Sequence, residues 1–208
     1  MTSPNSSIPV AIKEIRQGKM IIIKDNHDRE DEGDLFLPAQ YATIATINFM
    51  ITYARGLICV PLTKKKAELL KLPLMISESA NQEYTRCNFA VSIDARNGIR
   101  SGISASDRAQ TIRVLADPKS QASDLVRPGH IFPLIAKAGG LIERAGHTEA
   151  AIELCTLANT KLVGVICEIV GDEGEMLRGG ALENYAKKHQ LKIITIEQII
   201  NYIQNEKK

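Results

Sequence analysis

The chain has 208 residues, 44% of them hydrophobic and 24% charged, with a formal net charge of +2. This is the balance of a globular chain long enough for one sizeable core; its basic residues are dispersed, without the stripe that nucleic-acid binding requires, which leaves a small anionic ligand as the charged partner to consider. The polar start from Met1 to Ser7 lacks a signal-peptide run and no apolar stretch approaches membrane-spanning length, so a soluble cytoplasmic protein is expected.

Ser7 and Pro9 mark a helix start, Ile8, Ile12 and Ile15 recur at helical spacing, and Gly18 is placed as a stop. Met20 to Lys24 and Leu35 to Leu37 read as strands on either side of an acidic loop. A helix follows from Thr43 to Ala54, capped by Gly56, then a strand from Leu57 to Leu62 and a short helix from Lys64 to Leu70. Phe89, Val91 and Ile93 alternate as in a strand. Beyond them the pattern predicts a helix over Ala105 to Leu115, a strand over Ile131 to Ala136, a helix over Glu149 to Ala158 and a buried strand over Val163 to Ile169. A helix over Ala181 to His189, a strand over Ile193 to Thr195 and a helix over Glu197 to Asn205 close the chain. Loops are expected at Ser77 to Thr85, Ala116 to Pro128 and Gly171 to Gly180, which are rich in polar residues, Gly and Pro.

Strands separated by helices throughout predict one layered α/β domain over residues 1–208, its helices covering a buried sheet. Cys59, Cys87, Cys155 and Cys167 lack the paired spacings of zinc or redox motifs and read as reduced, mostly buried thiols.

Four clusters carry possible chemistry. Asp25, Asp28, Glu30, Asp31, Glu32 and Asp34 put six carboxylates into ten residues; spacing alone favours a solvated acidic loop, with a hard divalent cation as the sharper alternative. Arg144 to Glu149 immediately precedes a helix, so His147 or Thr148 lies near an N-cap where backbone N–H groups and Arg144 suit a phosphate, although a capped helix alone would have the same pattern. Arg127-Pro128-Gly129-His130 is a stiff turn that holds a histidine at a strand edge, suited to proton transfer or to structure only. Glu168 stands in an apolar strand, where a carboxylate is costly unless partnered or functional. The fourth cluster is Ser101 to Arg108, where Ser104 with Asp107 has the form of a capping box, the favoured reading, although hydroxyls and N–H groups there could also contact a phosphate or a sugar hydroxyl; Cys59 among apolar neighbours reads as core.

Taken together, Asp28 to Asp34, Gly56 to Leu62, Gly102 to Arg108, Arg127 to His130 and Arg144 to Ala150 resemble, in order and spacing, the 3,4-dihydroxy-2-butanone 4-phosphate synthase family across roughly the whole chain. The resemblance implies a three-layer α/β sandwich with a mixed central sheet, and a homodimer with active sites at the subunit interface. It also implies two Mg²⁺ ions per subunit, with Mn²⁺ as substitute, at Glu30 and His147, both expected to be exposed. Substrate contacts are implied for Arg29, Glu30, Asp34, Arg144, Ala145, Gly146, His147, Thr148 and Glu168, and acid/base roles for His130, Glu168 and Asp34. The implied reaction takes ribulose 5-phosphate to 3,4-dihydroxy-2-butanone 4-phosphate and formate, in riboflavin synthesis, and the end at Lys208 implies the stand-alone form without a fused GTP cyclohydrolase II domain.

Two departures fall near the expected substrate loop: Cys87 and Ser101 stand where the family usually has Thr. Competing readings are a binding-only relative on the same fold and another Mg²⁺-dependent phosphosugar isomerase or aldolase. Retention of Glu30, His130, His147 and Glu168 argues against the first, and only the resemblance argues against the second.

Overall fold

Gly33–Pro38 illustrates how the sheet is built. Phe36 points to one face while Leu35 and Leu37 point to the other, as successive strand residues must, and all three are fully buried because helices cover both faces. The computed structural model describes residues 4–206. The first three residues of the polar segment Met1 to Ser7, and Lys208, lie outside that span.

The strands are β1 (Ile21–Lys24), β2 (Gly33–Pro38), β3 (Cys59–Leu62), β4 (Ile93–Ala95), β5 (Leu125–Ile135), β6 (Gly164–Glu168) and β7 (Ile193–Thr195). They form a seven-stranded sheet in the order β4-β5-β3-β6-β2-β1-β7. Pairs β3/β5 and β1/β7 are parallel and the others antiparallel, so the sheet is mixed as expected.

The helices are α1 (Ile8–Arg16), α2 (Ile44–Phe49), α3 (Lys64–Leu69), α4 (Ala105–Ala116), α5 (Gly140–Glu143), α6 (His147–Leu157), α7 (Gly179–His189) and α8 (Ile196–Glu206). Ile47 of α2, Ile112 of α4 and Leu182 of α7 pack on the face that carries Leu35, Val60 and Cys167. Ile12 of α1, Leu154 of α6 and Ile199 of α8 pack on the face that carries Phe36, Cys59 and Ile166. Helix, sheet, helix is the three-layer arrangement expected, in one α/β domain. All four cysteines are free and buried, and no helix of the described residues is long and apolar enough to cross a membrane.

Three elements depart from the sequence reading. The helix expected over Thr43 to Ala54 is α2 followed by a π-helical turn, Met50–Ala54, ending at Arg55 with φ 66°. This turn sets Arg55 against Ile169 and delivers Gly56 and Leu57 against Glu168. The strand expected from Phe89 to Ile93 begins only at Ile93, with Phe89 making an isolated bridge to Leu134. Strand β5 starts at Leu125, inside the segment read as a loop, and contains Pro128; its ladder with β4 shifts register between Ile93 and Asp94, which accommodates the missing N–H of proline.

Candidate active site

The alternation that packs β2 also aims its first carboxylate. Asp34 shares the face of Phe36, and Glu168, its register partner on β6, shares the face of Ile166, so both acids point toward α6 at one end of the sheet. There they line a cavity of about 150 Å³ together with Arg29, Glu30, Arg144, His147 and Thr148. Cys59 and Cys87 also line it, and Cys87 Sγ lies 3.6 Å from Thr148 Oγ1.

The acidic loop is folded by one of its own carboxylates. Asp25, only 2% exposed, accepts from the backbone N–H of Glu32 at 2.8 Å and from Arg29 Nη1 at 2.7 Å. Arg29 also pairs with Glu30, and Lys24 pairs with Asp31 at 2.9 Å. Arg178, just before α7, donates to the Glu30 carbonyl and to Glu32 Oε1 at 2.8 Å, tying the loop to the body. The acidic run is therefore an ordered wall, not the solvated loop that its spacing favoured.

Gly146 occupies the N-cap of α6, making His147 and Thr148 the first helical residues, and it offers no side-chain cap to the N–H groups there. His147 is 7% exposed, against the exposure expected of it, because α6 seats its ring over the sheet; its Nδ1 lies 4.0 Å from Glu30 Oε2 and from Asp34 Oδ2. Its Nε2 is buried with no hydrogen-bond partner. Asp25, Glu30 and His147 each offer one ligand atom, all within 4.8 Å of one another. Two carboxylate oxygens and an imidazole nitrogen can hold a divalent cation. Asp25 was not singled out from its neighbours, since nothing in an acidic run tells which carboxylate turns inward.

Burial, reinforced by the charges of Glu168 and Glu30, holds the Asp34 carboxyl well above the usual range. Burial likewise raises Glu168, although the Leu57 N–H that donates to its Oε2 at 2.8 Å works the other way. Glu30 is raised by burial, with Arg29 opposing. Burial pushes His147 down to about 4, against the pull of Asp25, so the ring is neutral and available as a ligand.

His130 does not line this cavity. It stands on β5 with its ring partly exposed, Nδ1 2.7 Å from Asp94 Oδ2, while its backbone N–H donates to Asp94 Oδ1 at 2.9 Å. Asp94, 5% exposed, was missed by the sequence reading although it follows the alternation that ends at Ile93. Ala145 is exposed and does not line the cavity, and Gly146 enters only through its backbone. Ser104 caps α4 as expected, accepting from Asp107 N at 3.1 Å, but the Asp107 carboxylate turns to the N–H groups of Ser101 and Gly102.

The sequence model of the 3,4-dihydroxy-2-butanone 4-phosphate synthase family matches residues 9–202. A 3,4-dihydroxy-2-butanone 4-phosphate synthase of Pseudomonas aeruginosa is 47% identical over 197 residues, which are 95% of this chain and 53% of that protein. A riboflavin biosynthesis protein of Aquifex aeolicus is 50% identical over 199 residues, which are 95% of this chain and 48% of that protein. The chain thus spans about half the length of these curated relatives. A crystal structure of a 3,4-dihydroxy-2-butanone 4-phosphate synthase in complex with two magnesium ions superimposes with a TM-score of 0.92 at 40% identity, covering 96% of this chain and 97% of that one.

Proposed function

Because the chain belongs to the 3,4-dihydroxy-2-butanone 4-phosphate synthase family, we propose that it is a lyase converting D-ribulose 5-phosphate to L-3,4-dihydroxy-2-butanone 4-phosphate and formate in riboflavin biosynthesis. The observation that carries this reading is the convergence of Glu30, His147, the raised carboxyls of Asp34 and Glu168, and Arg144 around one small cavity, with Asp25 beside Glu30 and His147.

The neutral His147 ring, its Nε2 without a hydrogen-bond partner, stands beside two carboxylates and fits a divalent cation. Glu30 and His147 would hold two Mg²⁺ ions, or Mn²⁺ in their place, with Asp25 alongside. Bound there, the metal supplies Lewis-acid stabilisation of negative charge that develops on substrate oxygens. Arg144, Thr148 and the N–H groups at the start of α6 bind the phosphate. Arg29, Glu30, Asp34 and Glu168, with the backbone of Ala145 and Gly146, orient the sugar. Asp34 and Glu168, both raised above the ordinary carboxyl range by burial, move the proton beside the substrate carbonyl.

His130 is the remaining acid/base group. In a homodimer with sites at the subunit interface, the exposed ring of His130 from one subunit acts in the cavity of the other, oriented by Asp94. Four free, buried thiols suit a reducing compartment such as the cytoplasm.

Incubation with ribulose 5-phosphate, with Mg²⁺ or with excess EDTA, and quantification of formate tests the reading. Stoichiometric, metal-dependent formate is expected; no formate from folded, Mg²⁺-supplied protein would overturn it.

A further inference from the structure

Protein groups hold Arg144 on all three of its guanidinium nitrogens. Its Nε donates to the Thr85 carbonyl at 2.9 Å, Nη2 to Thr85 Oγ1 at 2.9 Å and Nη1 to Glu149 Oε2 at 2.6 Å. A guanidinium has five N–H groups; among the described residues these bonds leave one on each terminal nitrogen unused. The Glu149 side chain is 1% exposed, and its second oxygen accepts from the backbone N–H of Lys137 at 3.0 Å. On the other side, the Thr85 hydroxyl donates to Glu83 Oε2 at 2.8 Å, and Glu83 also accepts from the N–H groups of Thr85 and Cys87. Gly146 leaves the space the guanidinium fills, since a Cβ there would strike it.

Burying a carboxylate is costly, and a carboxylate beside Arg144 weakens the net attraction of that side chain for an anion. What the arrangement provides is geometry. A free arginine gives up much rotamer freedom when it clamps a ligand, and one already held does not. We infer that Glu149 and Thr85 are positioning residues that hold Arg144 in its phosphate-binding geometry, with Glu83 in turn holding Thr85. The inference rests on the proposed function, in which Arg144 meets the phosphate.

The test uses the full chain with Mg²⁺, titrated calorimetrically with inorganic phosphate, and steady-state kinetics with ribulose 5-phosphate. Thr85→Val keeps the shape of the side chain and removes the hydroxyl, so it should weaken phosphate binding and raise KM about tenfold, the size expected of a hydrogen bond to a charged group, with kcat nearly unchanged. Thr85→Ser should restore both. Glu149→Gln should act in the same direction as Thr85→Val. If Thr85→Val and Glu149→Gln bind phosphate like wild type while Arg144→Ala does not, the positioning role is overturned and the phosphate assignment stands. If Arg144→Ala itself keeps wild-type phosphate affinity and KM, the phosphate assignment falls and takes the positioning role with it. A fall in kcat at unchanged KM in Thr85→Val would also overturn the inference, because it would place the effect on chemistry and not on anchoring.

Discussion

Asp34 and Glu168 stand directly opposite each other where β2 pairs with β6, a buried and a half-buried carboxyl on one face of the sheet. Like charges so placed resist ionising together, which is why burial and the neighbouring acid both hold Asp34 above its ordinary range.

That relationship costs the metal-free protein stability once the pH rises above the ordinary carboxyl range. A carboxyl whose folded pKa is raised gives stability that is complete below its unfolded value of about 3.9 and is lost as pH rises through the folded value. His147, pushed down to about 4, has the opposite slope, but its contribution is complete above its unfolded value of about 6.5. In EDTA at pH 8, above the unfolded values of both groups, Asp34→Asn should therefore melt higher than wild type, by about 2–4 °C per kcal/mol relieved. A variant melting below wild type at pH 8 would contradict the raised carboxyl.

Mg²⁺ added to EDTA-stripped protein should raise the melting temperature, by the equivalent of about 2.7 kcal/mol at a hundredfold excess over Kd. Glu30→Gln and His147→Asn should each remove that shift, since both side chains belong to the Asp25–Glu30–His147 cluster. Differential scanning fluorimetry across a Mg²⁺ series decides it; an undiminished shift in either variant would rule that residue out as a ligand.

His130→Asn should lower kcat by about 10²- to 10⁴-fold, the usual worth of a positioned acid or base. Tm should hardly move, because the ring is 43% exposed. If the site is shared between subunits, mixing and refolding His130→Asn with Glu30→Gln should regain formate production that neither variant has alone. Mixed samples that stay inactive although heterodimers form would mean that His130 acts on no other subunit's cavity.

Gly56→Ala should behave as an active-site lesion although Gly56 carries no functional group. A Cβ there would collide with the backbone and carboxylate of Glu168, displacing the acid from the Leu57 N–H. The cost is about 1–3 kcal/mol of stability and a fall in kcat of about 10²-fold or more, the penalty of a misplacement near 1 Å. Kinetics at saturating Mg²⁺ beside a thermal melt would expose the error if turnover stayed normal.

Periodicity made most of the scaffold readable, because Ile12, Phe36 and Val165 bury at the intervals that helices and strands impose. It failed where backbone irregularity decides the outcome: the π-helical turn before Gly56, and Pro128 within β5, which is admitted by the register shift beside it. Residues of the cavity wall were readable through motif order. Asp25, Glu83, Asp94 and Glu149 were not singled out, because a carboxylate looks the same in sequence whether it faces water or a buried donor, and their partners Glu32, Thr85, His130 and Arg144 are fixed only by the folded chain.

Arg178 gives the C-terminal part of the chain a say in chemistry it never touches. By gripping Glu30 and Glu32 from the foot of α7, it makes the ordering of the acidic wall depend on whether α7 is docked, and the docking of α7 depends on Leu182 and Tyr185 in the core. Damage to that remote helix is therefore expected to surface first as a smaller Mg²⁺-induced rise in melting temperature in a protein that still folds.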